Sequence, residues 1–116
     1  MNKTYPCIWL CDIETSIDWY ADFLEFNCIF KSPLKKPGFA VIEKDDLKIY
    51  LIQSDNPDRY ASNTLIIEVD DIEDSFNAAE KAGALILQSV EDGMFGGREF
   101  IIKDYEDNKL IYHQSA

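Results

Sequence analysis

Apolar and polar residues alternate over short stretches of this chain, and each half is interrupted once by a helical spacing. Residues 5–11 predict a β-strand with Ile8 and Leu10 on one face and Tyr5, Cys7, Trp9 and Cys11 on the other. Asp12 is then placed to cap a helix, and Glu14 in its first turn suits the positive end of the helix dipole. Ile13, Ile17, Tyr20 and Leu24 follow at helical spacing and form one apolar stripe for a sheet to cover. Three strands are predicted next, at about 27–33, 38–44 and 47–53, punctuated by Pro33, Pro37, Gly38 and Asp45-Asp46. Asp55-Asn56-Pro57-Asp58 breaks the chain before the plan starts again. The second half reads as a strand at 64–69, a helix at 72–83 ended by Gly83, and strands near 85–89, 98–103 and 109–114. A glycine-rich connection, Asp92-Gly93-Met94-Phe95-Gly96-Gly97, precedes the strand at 98.

The two halves are also alike residue by residue. Ile8 to Ser16 set above Ile67 to Ser75 gives five identities in nine positions, with Leu10 over Val69 conservative. Lys48 to Ser54 set above Lys109 to Ser115 repeats the Lys, the Gln, the Ser and the apolar texture between them. The offsets are 59 and 61, so two residues inserted between the blocks reconcile them. Two blocks in the same order at nearly one spacing argue for duplication. The expectation is an α+β fold of two tandem βαβββ modules, about 4–54 and 63–115, making one domain over residues 1–116.

Composition narrows the function. The net charge is −11. A field of that sign repels phosphates, so no nucleic acid partner is expected, and it steers cations toward the surface. Simple solubility explains the same charge and is the favoured reading of charge alone. No apolar run approaches the roughly 20 residues of a membrane span, and no leader pattern opens the chain, so no membrane partner and a cytoplasmic location are expected. Cys7, Cys11 and Cys28 are odd in number and lack a CxxC spacing, which suits small reduced fillers better than a disulfide framework or a zinc knuckle.

Several motifs resemble the glyoxalase/bleomycin-resistance/dioxygenase superfamily, also called the vicinal oxygen chelate superfamily. They are the strand followed by Asp12-Ile13-Glu14 and Ser16, the Trp19-Tyr20 pair, Leu24-Glu25-Phe26, and Val69-Asp70-Asp71 before the second helix. The run Phe95-Gly96-Gly97-Arg98-Glu99-Phe100, leading to Asp104-Tyr105-Glu106-Asp107-Asn108, is similar to the bleomycin-resistance branch in particular. There Tyr105 and Asp107 stand where that branch has proline and glycine.

The resemblance implies that each module curls into half a barrel, with the helices on the outer face of a curved mixed sheet and a cleft enclosed by the modules. Metal-dependent members place His and Glu ligands at four slots, which fall here on Tyr5, Tyr50, Thr64 and Ile111. None of these is a His or a carboxylate, and isoleucine offers a metal no donor atom. No metal and no cofactor are therefore expected, and a binding role is favoured over catalysis.

Strand alternation points Tyr5, Cys7 and Trp9 to the face opposite Ile8 and Leu10. It gives the same orientation to Thr64, Ile66 and Glu68, to Lys48, Tyr50 and Ile52, and to Lys109, Ile111 and His113. The candidate ligand-binding residues are Tyr5, Cys7, Trp9, Tyr50, Thr64, Glu68, Ile111 and His113, joined by Phe95 and Glu99 from the bleomycin-resistance-like run. Each has a plainer alternative. Trp9 and Tyr50 serve equally as core aromatics, and Glu68 as the ion-pair partner of Lys48 or Lys109. Glu99 could fix the loop after Gly96-Gly97, His113 could be a hydrogen-bonded surface residue, and Cys7 is a nucleophile only beside an activating base.

The expected function is sequestration of a small, cationic, aromatic-containing molecule by a homodimer, as the resemblance to resistance proteins implies. The rivals are a lyase- or dioxygenase-like enzyme using Glu68 or His113 as acid–base groups, and a scaffold with no small ligand.

Overall fold

The computed structural model describes residues 2–56 and 62–116. Pro57 and Asp58, part of the predicted break between halves, lie outside the described residues. The chain divides into two compact units, Met1–Ala61 and Ser62–Ala116.

The first unit runs β1 (Cys7–Leu10), α1 (Ile13–Leu24), β2 (Asn27–Ser32), β3 (Phe39–Lys44) and β4 (Leu47–Gln53). Its sheet has the order β1-β4-β3-β2, parallel between β1 and β4 and antiparallel elsewhere. The second unit repeats this with β5 (Thr64–Glu68), α2 (Ile72–Ala82), β6 (Leu85–Asp92), β7 (Arg98–Lys103) and β8 (Lys109–Gln114), in the order β5-β8-β7-β6. Both units are therefore the βαβββ modules of an α+β fold.

The parallel pairings carry the duplication at the level of register. Cys7 faces Tyr50 across β1 and β4, and Ile66 faces Ile111 across β5 and β8. These are the partners that offsets of 59 and 61 require. β1 is shorter than expected: Pro6 accepts from Tyr50 N–H at 2.9 Å but has no N–H to continue the ladder. β6 is longer than expected, reaching Asp92 through two register shifts.

Each helix is built the same way. Asp12 Oδ1 accepts from Thr15 N–H at 3.1 Å, and Asp71 Oδ1 from Asp74 N–H at 3.1 Å, satisfying amides that the helix itself cannot. Gln53 Oε1 accepts from Ile13 N–H at 2.8 Å, and Gln114 Oε1 from Ile72 N–H at 2.8 Å. The repeated glutamine is thus a clamp between the last strand of a unit and the first turn of its helix. Gln53 also donates to the Cys11 carbonyl. The helices end in left-handed residues, Glu25 after α1 and Gly83 after α2.

The helix-facing positions form the cores. In the first unit Ile8, Leu10, Ala40, Ile42, Ile49 and Leu51 are buried with Ile13, Ile17, Tyr20 and Leu24 of α1 and with Phe26. In the second, Phe100 stacks on Tyr112 at 4.8 Å and meets Phe76 edge-on at 5.3 Å, among Ile67, Ile72, Ile102 and Leu110. Burial raises the Tyr112 hydroxyl well above its usual pKa, so it stays protonated. The altered turn at Asp104–Asn108 closes through Asp104, whose Oδ1 accepts from Glu106 N–H at 2.9 Å and Asn108 N–H at 2.8 Å. Asp107 takes the left-handed conformation there that glycine would adopt more easily. Among the described residues no helix is long and apolar enough to cross a membrane.

Candidate functional site

Packing the helix on one face of each sheet leaves the other face to the alternate residues. In the first unit that open face is aromatic. Tyr5 stacks on Tyr50 at 5.4 Å between centroids, Tyr50 meets Phe39 at 5.8 Å, and Phe39 meets Phe30 at 6.0 Å. Four rings so linked span all four strands, from the segment before β1 to β2. Phe30 is half exposed, so the run of rings ends at an accessible edge. The register carries Trp9 opposite Ile52, and Ile52 opposite Phe39, so Trp9 stands in the same row as Phe39 on the same face.

Lys48 supplies a charge, its Nζ lying 5.8 Å from the Tyr5 ring centroid in a cation–π contact. Cys7 sits beside Tyr50 in the register, and desolvation raises its thiol pKa. It therefore remains a thiol near neutral pH and lacks the thiolate a nucleophile needs.

The open face of the second unit carries charge where the first carries rings. One cross-strand row reads Glu68, His113, Glu99, Glu91 through successive register partners on β5, β8, β7 and β6. Glu68 Oε2 lies 2.9 Å from His113 Nδ1, while Glu68 Oε1 accepts from Ser115 N–H at 2.8 Å and Ser115 Oγ–H at 2.6 Å. The Ser115 hydroxyl and then His113 hold the Glu68 carboxyl down to about 2. His113 is pushed above its ordinary value by the Glu68 bond first and the Gly96 carbonyl second. Glu68 thus bonds within its own unit to His113 and Ser115, and Lys109 is not its partner.

Next to this row Gly93–Gly97 forms a tight turn, with Gly93 N–H on Gly97 O at 3.0 Å and Gly96 N–H on Gly93 O at 3.2 Å. Phe95 at its tip is 95% exposed, and Met94 beside it is exposed as well. Gly97 has positive φ, and a Cβ there would collide with the Gln114 carbonyl oxygen and lie 2.9 Å from His113 Nε2. A Cβ on Gly93 would lie 2.7 Å from Glu99 Oε1, so that carboxylate rests against the turn. The loop-fixing alternative for Glu99 therefore has a geometric basis. Thr64 and Ile111 lie on the same open face, Ile111 beside the exposed Ile66.

The four slots that hold metal ligands in metal-dependent relatives carry two stacked phenol rings, a threonine and an isoleucine. Among the described residues no three His, Cys, Asp or Glu side chains converge to hold an ion. This donor set does not fit a divalent metal.

The structure thus sorts the sequence candidates into an aromatic set on the first unit and a charged set beside a glycine turn on the second. Phe30 and Phe39 escaped the sequence reading, although alternation along β3 (Phe39, Val41, Glu43 against Ala40, Ile42, Lys44) carries the signal. Ser115 escaped it too, despite repeating Ser54.

Comparison with known proteins bears on the family and the fold. The family model for the Glyoxalase/Bleomycin resistance protein/Dioxygenase superfamily matches residues 5–112. No curated protein matches the chain significantly. Among solved structures, a bleomycin resistance determinant encoded on the transposon Tn5 superposes with a TM-score of 0.84 at 18% identity, covering 99% of this chain and 98% of that one. The bleomycin-binding protein of Streptomyces verticillus, complexed with copper(II)-bleomycin, gives 0.83 at 17% identity over 100% and 98%. An antibiotic-binding protein from a Streptomyces species gives 0.79 at 15% identity over 100% and 99%. Identities this low establish a shared fold.

Proposed function

The chain belongs to the Glyoxalase/Bleomycin resistance protein/Dioxygenase superfamily, and from that premise we propose that it binds and sequesters a small organic molecule with an aromatic part, without transforming it. The observation that carries the reading is the run Tyr5–Tyr50–Phe39–Phe30 on the open face of the first unit. Rings on an open sheet face present π-surface to a planar group, and each desolvated aromatic contact contributes about 0.5–1.5 kcal/mol. That two of these rings occupy slots used for metal ligands elsewhere in the superfamily supports capture over metal-dependent chemistry. The bleomycin- and antibiotic-binding proteins among the structural neighbours support the same class of ligand.

The ligand is proposed to be cationic or neutral. The net charge of −11 and the carboxylates of Glu91 and Glu99 favour a cation, while Lys48 on the aromatic face opposes one. Glu68 is already engaged by His113 and Ser115. Contacts are proposed from Tyr5, Cys7, Trp9 and Tyr50 on the first unit. On the second unit the proposed contact residues are Thr64, Glu68, Phe95, Glu99, Ile111 and His113. The active form is proposed to be a homodimer, because exposed apolar side chains such as Ile29, Phe30, Leu34, Leu85 and Leu87 ask for cover. The rival enzymatic use of Glu68 and His113 is disfavoured by their hydrogen bonds, since Glu68 and Gly96 already engage both imidazole nitrogens.

A thermal-shift screen over cationic glycopeptides such as bleomycin, planar cationic dyes, nucleotides and acidic metabolites tests the reading. Ligand at about 100-fold excess over Kd should stabilise the fold by about 2.7 kcal/mol. Tyr50→Ala and Phe95→Ala should each weaken the confirmed ligand by roughly 2- to 12-fold. Stabilisation by acidic metabolites alone, or unchanged affinity in both variants, would overturn it. Light scattering giving a mass near 13.4 kDa at micromolar concentration would remove the dimer.

A further inference from the structure

His113 is the one histidine of the chain, and both of its ring nitrogens face acceptors. Nδ1 lies 2.9 Å from Glu68 Oε2, and Nε2 lies 3.1 Å from the Gly96 carbonyl oxygen. A neutral imidazole has one N–H, so it donates to one of these acceptors and turns a lone pair on the other. The imidazolium donates to both. We propose that the proton on His113 is a latch: the charged ring ties the Gly93–Gly97 turn, with Phe95 at its tip, to β8, and loss of the proton at higher pH releases the turn.

The geometry decides which bond survives deprotonation. Glu68 is an ionised acceptor fixed by the Ser115 amide and hydroxyl, whereas Gly96 offers a neutral carbonyl at a longer distance. Bonds to charged acceptors are about twice as strong as neutral ones, so the remaining proton stays on Nδ1. The Nε2 lone pair then faces the Gly96 oxygen, and acceptor opposes acceptor. What then holds the turn is the contact of the Glu99 carboxylate with Gly93 and the pairing of Arg98 with Gln114 at its base. Its two backbone hydrogen bonds, Gly93 to Gly97 and Gly96 to Gly93, close it on itself. The close approach of Gly97 to Gln114 and His113 shows why the turn fits against β8 while the ring holds it.

The charges around the ring favour its protonated form. Glu68 faces it from β5, Glu99 from β7, and Glu91 stands beyond Glu99 on β6. The turn residues 93–97 carry no ionisable side chain. Arg98 is engaged with Glu73 of α2 at 2.6 Å. On β8 itself Lys109 shares the open face four residues away, and Lys103 of β7 is held by Asp107 at 3.0 Å. Glu68 first and the Gly96 carbonyl second raise the His113 pKa above its ordinary value, which moves release to higher pH. The latch does not depend on a ligand. Its effect on ligand capture rests on the proposed role of Phe95.

The test uses the ligand-free full chain, isotopically labelled, titrated by NMR from about pH 5 to 9. A single histidine makes its ring signal unambiguous. The expected result is a midpoint above 6.5, with the Gly96 and Gly97 amide resonances moving at the same midpoint. Glu68→Gln should lower that midpoint. His113→Gln, whose amide can donate without titrating, should leave the turn resonances flat over the range. A wild-type midpoint at or below 6.5, or turn resonances that stay still through it, overturns the latch even if neither variant folds. Because no ligand is present, failure here is separate from failure of the binding reading.

Discussion

Gln53 and Gln114 are the same residue in the two copies of the repeat, yet the structure gives them unequal weight. Both accept from the first amide of their own unit's helix at 2.8 Å, that of Ile13 or Ile72, which are buried. Gln53 alone also donates through Nε2 to the Cys11 carbonyl. A net intramolecular hydrogen bond contributes about 1 kcal/mol, so Gln114→Ala should cost about 1 kcal/mol and Gln53→Ala about 2 kcal/mol. With an unfolding entropy of about 2.1 cal/mol/K per residue, each kcal/mol corresponds to about 4 °C of Tm in a chain of this size. Substitution by glutamate sharpens the contrast. Gln114→Glu keeps the acceptor and places a negative charge at a helix N-terminus, so it should cost less than Gln114→Ala. Gln53→Glu turns a carboxylate oxygen on the Cys11 carbonyl, so it should cost more than Gln53→Ala. Urea midpoints at pH 7 with unchanged m-values provide the measurement. Equal losses in the two alanine variants, or two glutamate variants that behave alike, would refute the clamp assignment.

Three other outcomes are expected. The Glu68–His113 contribution to stability should be greatest between about pH 4.5 and 6.5: it declines as pH rises through the elevated His113 pKa and as pH falls from 4.5 toward about 2, where Glu68 protonates. Urea midpoints across pH check this, and His113→Gln should flatten the alkaline limb. Phe100→Ala removes a fully buried ring stacked on Tyr112 and should cost about 3–5 kcal/mol, whereas Ile66→Ala, at a position 71% exposed, should change stability by less than about 0.5 kcal/mol. Elemental analysis of protein purified without chelator should find no stoichiometric transition metal; one tightly held zinc, iron, nickel or manganese per chain would refute the reading of Tyr5, Tyr50, Thr64 and Ile111 as slots without ligands.

Much of the fold was legible because its signals are local and periodic. Ile8 and Leu10 against Cys7 and Trp9, the stripe from Ile13 to Leu24, and the two aspartate caps all follow from residues within one element. The parallel register was legible through the repeat, since offsets of 59 and 61 pair Cys7 with Tyr50 and Ile66 with Ile111. β6 was read too short at 85–89, and the structure carries it on to Asp92 through register shifts on either side of Gln88, a feature of pairing that no residue within the strand announces. The candidate site was legible at the level of which face a residue takes. Its partners were not, because hydrogen bonds such as Glu68 to His113 and Ser115 join residues 45 and 47 positions apart. Electrostatic reasoning from sequence matched Glu68 to lysines, whereas cross-strand register places the imidazole directly opposite it.

The duplication separates what packing demands from what a site can use. Positions that face a helix stay apolar in both copies: Ile8 and Ile67, Ile42 and Ile102, Ile49 and Leu110, Leu51 and Tyr112, Ala40 and Phe100. Where one copy enlarges a core side chain it does so in a connected pair, Phe100 with Tyr112 in place of Ala40 with Leu51, which face each other in the register. Positions on the open faces show no such restraint. The row Trp9, Ile52, Phe39 of the first unit becomes Glu68, His113, Glu99 in the second, position for position. A face buried against a helix penalises a lone charge by several kcal/mol, so apolar character is held there by the physics of folding. An open face carries no such penalty, and its chemistry is free to follow use. The divergence of the two open faces, aromatic on one unit and a histidine-bridged carboxylate row on the other, is therefore the part of this chain that folding alone does not require.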